Sequence, residues 1–387
     1  MDDILILGSG LAGYTLAREI RAIDTEIPLH MITADAGDFY SKPMLSNGLQ
    51  QGKDAEGLIS ASAALMAERN RLTIDTGCRV TGISDVQRKV ITEKGDHEYG
   101  SLVLALGAHP IIPAMGGDAA DQRSTINSLY DYAWFRQRLP APPAHIAIIG
   151  PGLIGCEFAN DLLIAGYQVT LIGPDPYPIS TLLPEATGKA LEQAMQKAGA
   201  QWRLQQTAAI MEQADKGYRL TLTDASTLSC DLVLSAVGLR PEIALAAAAG
   251  LKVARGVVTD RLLQSSGTAI YALGDCAEVA GHNLPYVMPI MHAARALAKT
   301  LTGQPAEVVY PAMPVVIKTP LHPVVVAPPG SGVAGDWHIE QHDKGTRCLF
   351  QAPEGGLLGF VISGGFMDEK QALTRCLPPV LAASVYT

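Results

Sequence analysis

Two glycine triplets in this chain have the residue type and spacing to cradle a phosphate. Gly8, Gly10 and Gly13 lie in "ILILGSGLAGYTLAREI", and Gly150, Gly152 and Gly155 lie in "IIGPGLIGCEFANDL". Between a strand and a helix, the first glycine of such a triplet permits the tight turn. The second lets backbone amides approach a pyrophosphate, and the third lets the helix pack closely on the sheet. The helix then offers unpaired N–H groups and the positive end of its dipole to the anion. The loop residues Ser9, Leu11, Ala12, Leu153 and Ile154 join the glycines as candidate contacts.

Context decides whether such a triplet does chemistry. Ile4-Leu5-Ile6-Leu7 before Gly8 and "HIAII" before Gly150 read as buried parallel strands, and a helical pattern follows each triplet. "GSGVAG" at Gly330–Gly335 has the same spacing but follows two prolines and precedes the strand-like "DWHIE", so it reads as a loop. Two cradles imply two dinucleotides. A nicotinamide gives up hydride, whereas a flavin accepts hydride and can release electrons one at a time. A chain holding both is suited to passing reducing equivalents from pyridine nucleotide through flavin to a further acceptor.

The elements that must position these loops need a long chain. At 387 residues, two or three domains are expected. Apolar residues make up 48% and charged residues 17%, enough for ordinary cores. The net charge of −9 argues against a nucleic-acid binder. "MDDILILGSG" lacks the basic start of a signal peptide, and no apolar run reaches the ~18 residues of a membrane span. A cytoplasmic protein with no membrane contact is expected. The six cysteines are scattered with no close pair, and read as free thiols. No metal site is expected: His338 and His342 share a strand face but would stand about 13 Å apart.

Along the chain, the prolines of "QRLPAPPAHIAIIG" mark a boundary or a crossing strand. Residues 201–230 read as short antiparallel strands, and "TAIYALGDCAE" as a strand ending at a Gly-Asp turn. "VMPIMHAARALAKTLTG" reads as a helix. From about Tyr310 the alternation predicts a small antiparallel sheet with a last helix near 367–376. The expected fold class is α/β, with two Rossmann-like dinucleotide-binding domains and a small α+β C-terminal domain. The expected FAD domain is discontinuous, 1–113 with 242–309; the NAD domain is 114–241 and the third domain 310–387.

"TAIYALGDCAE", with Gly274 and Asp275, resembles the second FAD signature of the pyridine nucleotide–disulfide reductase superfamily. "LVLALGAHP" and "LSAVGLRP", the latter containing Gly238, are similar to that superfamily's crossings between nucleotide domains. Members that reduce disulfides carry a redox cysteine pair on a helix where this chain reads "DFYSKPMLSNGLQ", without cysteine. "YSKPMLSNG", "LIGCEFANDL", "YVMPIMHAARALAKTL" and "PVVIKTPLHPVVVAPP" look like the rubredoxin–NAD reductases, which feed electrons to bacterial alkane hydroxylation or oxygen-defence systems.

The resemblance implies tightly held FAD, NADH as substrate, rubredoxin as acceptor and a monomeric enzyme without a catalytic protein side chain of its own. It places Gly8 to Gly13 at the FAD pyrophosphate, Thr33, Ala34 and Asp35 at the adenosine ribose, and Val80 by the adenine. Lys42 stands beside the flavin, Asp275 and Val287 by the ribityl chain and ring, and Glu157 at the nicotinamide–flavin junction. Lys318, mid-strand by pattern, approaches the ring from the third domain; a cation there would stabilise the reduced ring. Two positions depart from the family pattern. Asn47 stands where related ferredoxin reductases have a lysine paired with the glutamate matching Glu157. Ala34 stands where the ribose-binding acid is expected, with Asp35 one residue later. Two other functions stay open: a ferredoxin reductase of a monooxygenase system, and a flavoprotein of the apoptosis-inducing-factor type that acts by binding partners.

Overall fold

The computed structural model describes residues 3–384. The first glycine triplet sits at the end of the central strand, Ile4–Leu7, of a five-stranded parallel sheet. From one edge the order is Ile270–Ala272, Ser101–Leu104, Ile4–Leu7, Leu29–Ile32 and Thr73–Asp75. All four residues of Ile4–Leu7 are at most 1% exposed, as expected of a strand covered on both faces. One face is covered by the helix Leu11–Ile23 lying along the helix Val287–Leu301. Small side chains let them approach: Ala12, Ala17, Ala293, Ala294 and Ala298 are all buried.

The second triplet repeats the arrangement. His145–Ile149 lies between Gln168–Gly173 and Leu232–Ser235 in a four-stranded parallel sheet, with Ala200–Leu204 at the edge. The expectation of antiparallel strands over 201–230 is therefore corrected at its start. Ala200–Leu204 pairs parallel to Gln168–Gly173, burying Ala200, and only 208–213, 218–222 and 227–230 form an antiparallel sheet. The proline-rich stretch after the helix Leu129–Arg138 is a turn and not a strand.

The two parallel sheets are joined by a short antiparallel ribbon, in which Ala108–Pro110 pairs with Leu239–Pro241. These are the two Gly-x-x-Pro stretches, now seen side by side. The remaining large sheet is antiparallel, in the order Val315–Ile317, Val324–Ala327, Leu357–Ser363, Gly345–Gln351 and Asp336–His342. A 3₁₀ turn, Gly364–Glu369, leads into the short helix Lys370–Cys376. His338 and His342 do lie on one strand, and "GSGVAG" is a turn with no helix after it. Lys318 is one residue past the end of its strand rather than within it.

Candidate active site

The two glycine loops are near copies in space. Gly8 has φ +111° and Gly150 φ +107°, a left-handed backbone that disfavours any side chain. A Cβ at Gly8 would stand 2.4 Å from the Ala105 carbonyl oxygen, and one at Gly150 would stand 2.5 Å from that of Ala236. Gly13 and Gly155 are as tightly constrained: a Cβ there would lie 2.0 Å and 1.9 Å from the carbonyl oxygens of Gly8 and Gly150. Gly10 and Gly152 differ, because a Cβ would meet nothing within 4 Å. Each is the N-cap of its helix, and neither helix start receives a side-chain cap. Open space in front of uncapped helix amides is what a pyrophosphate needs, so both loops fit a dinucleotide.

Both loops open into one cleft of about 2590 Å³. Of the residues singled out in the sequence, Ser9, Leu11, Ala12, Thr33, Ala34, Asp35, Lys42, Val80, Leu153, Ile154, Glu157, Gly238, Asp275, Val287 and Lys318 line it, as do Gly8, Gly10, Gly150 and Gly152. Gly13, Gly155 and Gly274 do not. Their positions are behind the loops: a Cβ on Gly274 would come 2.9 Å from the Cβ of Ala12, so Gly274 lets the second signature seat against the first helix. "GSGVAG" also reaches the cleft wall through Gly330, Ser331 and Val333, although it offers no helix start.

At one end of the cleft, Asp35 organises the loop after Leu29–Ile32. Its Oδ1 accepts hydrogen bonds from Ser9 Oγ (3.1 Å), Thr33 Oγ1 (2.7 Å) and the Gly37 amide (2.9 Å). The displaced acid is thus tied to the first glycine loop, while Ala34 is exposed. Further along, Lys42 and Asp275 influence each other's charge. Burial lowers the Lys42 ammonium from its ordinary value and raises the Asp275 carboxyl, and each charge partly restores the other.

The same cleft holds a cluster that the sequence showed only in part. Glu157, on the helix Leu153–Ile164, is 1% exposed. Its Oε1 accepts from the Lys318 amide at 2.9 Å, and its Oε2 accepts from Ser46 Oγ at 2.7 Å and from Lys318 Nζ. Lys318 Nζ also bonds Ser46 Oγ (2.7 Å) and the Pro43 carbonyl (2.6 Å). Every polar atom of the cluster is satisfied, which a buried ion pair requires. The partner that Asn47 could not supply comes from more than 270 positions along the chain.

Ser46 was not legible as a site residue, nor was Asp161. The buried Asp161 carboxylate accepts from the amides of Leu49 (3.0 Å) and Gln50 (2.9 Å), closing the turn after the 3₁₀ helix Lys42–Asn47. The only advance signal for Asp161 was its place one turn beyond Glu157 on the same helix.

The pyridine nucleotide-disulphide oxidoreductase family model matches residues 2–299, about three-quarters of the chain. The chain belongs to this family. A second model, described as a rubredoxin binding C-terminal domain, matches residues 307–377. As a family member, the chain is an FAD-dependent oxidoreductase working with NAD(H). Rubredoxin-NAD(+) reductase of Alcanivorax borkumensis is 44% identical over 98% of this chain and all of its own length. The protein of that name from Acinetobacter baylyi is 42% identical over the full length of both chains. Among solved structures, putidaredoxin reductase in its covalent complex with putidaredoxin shares the fold, with TM-score 0.88 and 24% identity over 97% of this chain and 94% of that one. The α/β fold class with a small C-terminal domain is shared with that structure.

Neither cysteine beside a cofactor motif, Cys156 or Cys276, lines the cleft. Cys156 and Cys276 are fully buried, and burial raises both thiols, that of Cys276 to about 11. Cys276 Sγ donates to the Leu104 carbonyl, and Cys156 Sγ to that of Pro151.

Proposed function

We propose that this chain takes hydride from NADH at the second glycine loop and passes electrons through FAD to rubredoxin. The observation that carries this is one cleft lined by both glycine loops and by the Glu157–Lys318 pair, with the 307–377 segment, matched to a rubredoxin-binding domain, contributing Lys318 to its wall. Bound FAD supplies the conversion between two-electron and one-electron transfer. The chain's own residues bind, orient and exclude water. Gly8, Gly10 and the amides behind Ser9, Leu11 and Ala12 hold the flavin nucleotide's pyrophosphate; Thr33, Ala34 and Asp35 face its ribose, with Val80 at the adenine. Lys42, Asp275 and Val287 lie along the ribityl chain and ring, and Gly238 closes the crossing. Gly150, Gly152, Leu153 and Ile154 hold NADH. Glu157, locked by Lys318 and Ser46, holds the junction in place.

The units proposed for these tasks are 1–113 with 242–309 for FAD, 114–241 for NADH, and 310–387 for the protein acceptor. The physiological setting we propose is electron supply to alkane hydroxylation or an oxygen-defence system. Among the described residues no helix is long and apolar enough to cross a membrane. We place the enzyme in the cytoplasm and as a monomer.

The deciding experiment is anaerobic reduction with NADH followed by rapid mixing with rubredoxin, plant-type ferredoxin or menadione separately. Reoxidation should be fastest with rubredoxin. Faster transfer to ferredoxin would assign the enzyme to a monooxygenase system instead, and no transfer to any of them would favour a role in partner binding.

A further inference from the structure

Away from the cleft, three strands bring two imidazoles and a carboxylate to one point. His30 lies on Leu29–Ile32, Asp75 ends the edge strand Thr73–Asp75, and His97 lies on Gly95–Glu98 of the three-stranded sheet formed by 80–84, 89–92 and 95–98. Asp75 Oδ2 is 2.8 Å from His30 Nε2 and 3.8 Å from His97 Nε2, and one ligand atom from each residue lies within 4.8 Å of the others. The two rings meet edge to face with centroids 5.0 Å apart. None of the three lines the cleft.

The geometry points to a divalent transition-metal site of the His₂Asp type, taking Zn²⁺ with solvent as a fourth ligand. Zinc bonds to imidazole nitrogen and carboxylate oxygen are about 2.0–2.2 Å, so neighbouring ligands of a tetrahedral ion stand about 3.3–3.5 Å apart. The two separations from Asp75 bracket that spacing: the His30–Asp75 hydrogen bond must open by about 0.5 Å and the His97–Asp75 pair close by about 0.4 Å, which needs only small rotations of the two rings. They have room to do so, because the side chains of His30, Asp75 and His97 are 27%, 38% and 23% exposed. The same exposure gives water access to the open position. Two imidazoles and one carboxylate suit zinc better than calcium or magnesium, which prefer all-oxygen shells. The nearest lysine in sequence, Lys94, is engaged with the Thr76 carbonyl at 2.9 Å.

Such an ion would pin the hairpin sheet to the edge of the parallel sheet. It would also brace the segment entering the cleft, since the Asp75 carbonyl accepts from the Thr33 amide and Gly77 donates to the Asp35 carbonyl. The role is structural, and hydride transfer does not depend on it.

The test uses the FAD-loaded full chain with Cys376, the exposed thiol, replaced by serine. After treatment with a chelator, zinc is titrated against a chromophoric competitor and the thermal midpoint is followed. One zinc per chain and a rise in midpoint are expected. His97→Gln should weaken binding by at least about tenfold, the scale seen when even an outer partner of a metal ligand is lost. Asp75→Asn should do the same, while His338→Gln should change nothing. His97 sits on an outer hairpin, so retained flavin absorption and circular dichroism will separate lost binding from lost folding. Absence of zinc binding in the parent chain, or equal affinity in the His97→Gln variant, would overturn the site.

Discussion

Lys318 and Glu157 meet across the cleft through two separate bonds, one from the lysine amide and one from its ammonium. The amide bond fixes where the chain passes, and the ammonium then has no choice but to answer a carboxylate that is 1% exposed. The C-terminal sheet is thereby attached to the helix of the second glycine loop by a buried charge pair. Removing Lys318 alone strands that charge.

Lys318→Met should therefore lower stability by roughly 3 kcal/mol, the usual cost of breaking a buried pair on one side, somewhat reduced because Lys318 is itself 25% exposed on its side chain. Lys318→Met with Glu157→Gln should recover most of the thermal midpoint. If the double variant is no more stable than the single, the pair is not coupled as the geometry requires.

Asp275→Ala should loosen FAD. The proposed ribityl contact would lose a charge-assisted acceptor, and Lys42 would lose the carboxylate that offsets its burial. A loss of about 1.5–3 kcal/mol, or some ten- to hundredfold in affinity, is expected. Dialysis followed by flavin absorbance checks it; full retention would remove Asp275 from the FAD site.

Reductive titration should stop at two electrons per FAD. Cys156 and Cys276 sit behind the cofactor loops with thiols raised by burial, that of Cys276 to about 11. Cys156→Ser and Cys276→Ser variants that fold should keep this stoichiometry and the parent turnover. Uptake of four electrons by the parent would reveal a redox thiol pair.

NADH should be preferred over NADPH by at least about tenfold in kcat/KM, or ~1.4 kcal/mol. The strand Gln168–Gly173 ends without the usual acid, and the reason is steric: a Cβ on Gly173 would lie 2.1 Å from Cδ of Pro151 in the glycine loop. The nearest charge in that turn is Asp175, which lines the cleft and accepts from Ser180 Oγ. It would repel a 2′-phosphate, and no arginine lies between Val169 and Ser180 to attract one. Asp175→Arg should raise NADPH turnover while leaving NADH turnover largely intact. Equal kcat/KM for the two nucleotides in the parent would point to a cation from elsewhere.

Asp161 makes stability depend on pH. Burial pushes its carboxyl up to about 6 from an ordinary 3.8, against the downward pull of the Gln50 and Leu49 amides. Between these values the folded chain holds a proton that the unfolded chain has released. The stabilisation this brings is complete below about 3.8 and is lost as pH rises through about 6. Relative to Asp161→Asn, the parent should thus lose up to roughly 3 kcal/mol between about pH 4 and 7. Thermal midpoints of both FAD-loaded proteins across that range check the slope; parallel curves would show that Asp161 does not titrate there.

Local signals carried much of this protein. The glycine triplets, the buried strands before them and the Gly-Asp turn at Gly274-Asp275 are short-range patterns, because φ, close approach and helix dipole are set within a few residues. From them follow two dinucleotide loops, the family and its cofactors. The partner of Glu157 was not available in this way. Asn47 removed the nearby lysine, and nothing in "VIKTP" says that its lysine ends one residue past a strand, facing a helix from another sheet. Ser46, Asp161 and the edge position of Ala200–Leu204 were hidden for the same reason, as was the meeting of His30, Asp75 and His97. Spacing along a chain encodes turns, periods and caps; which distant side chains share one low-dielectric pocket is decided only when the sheets pack.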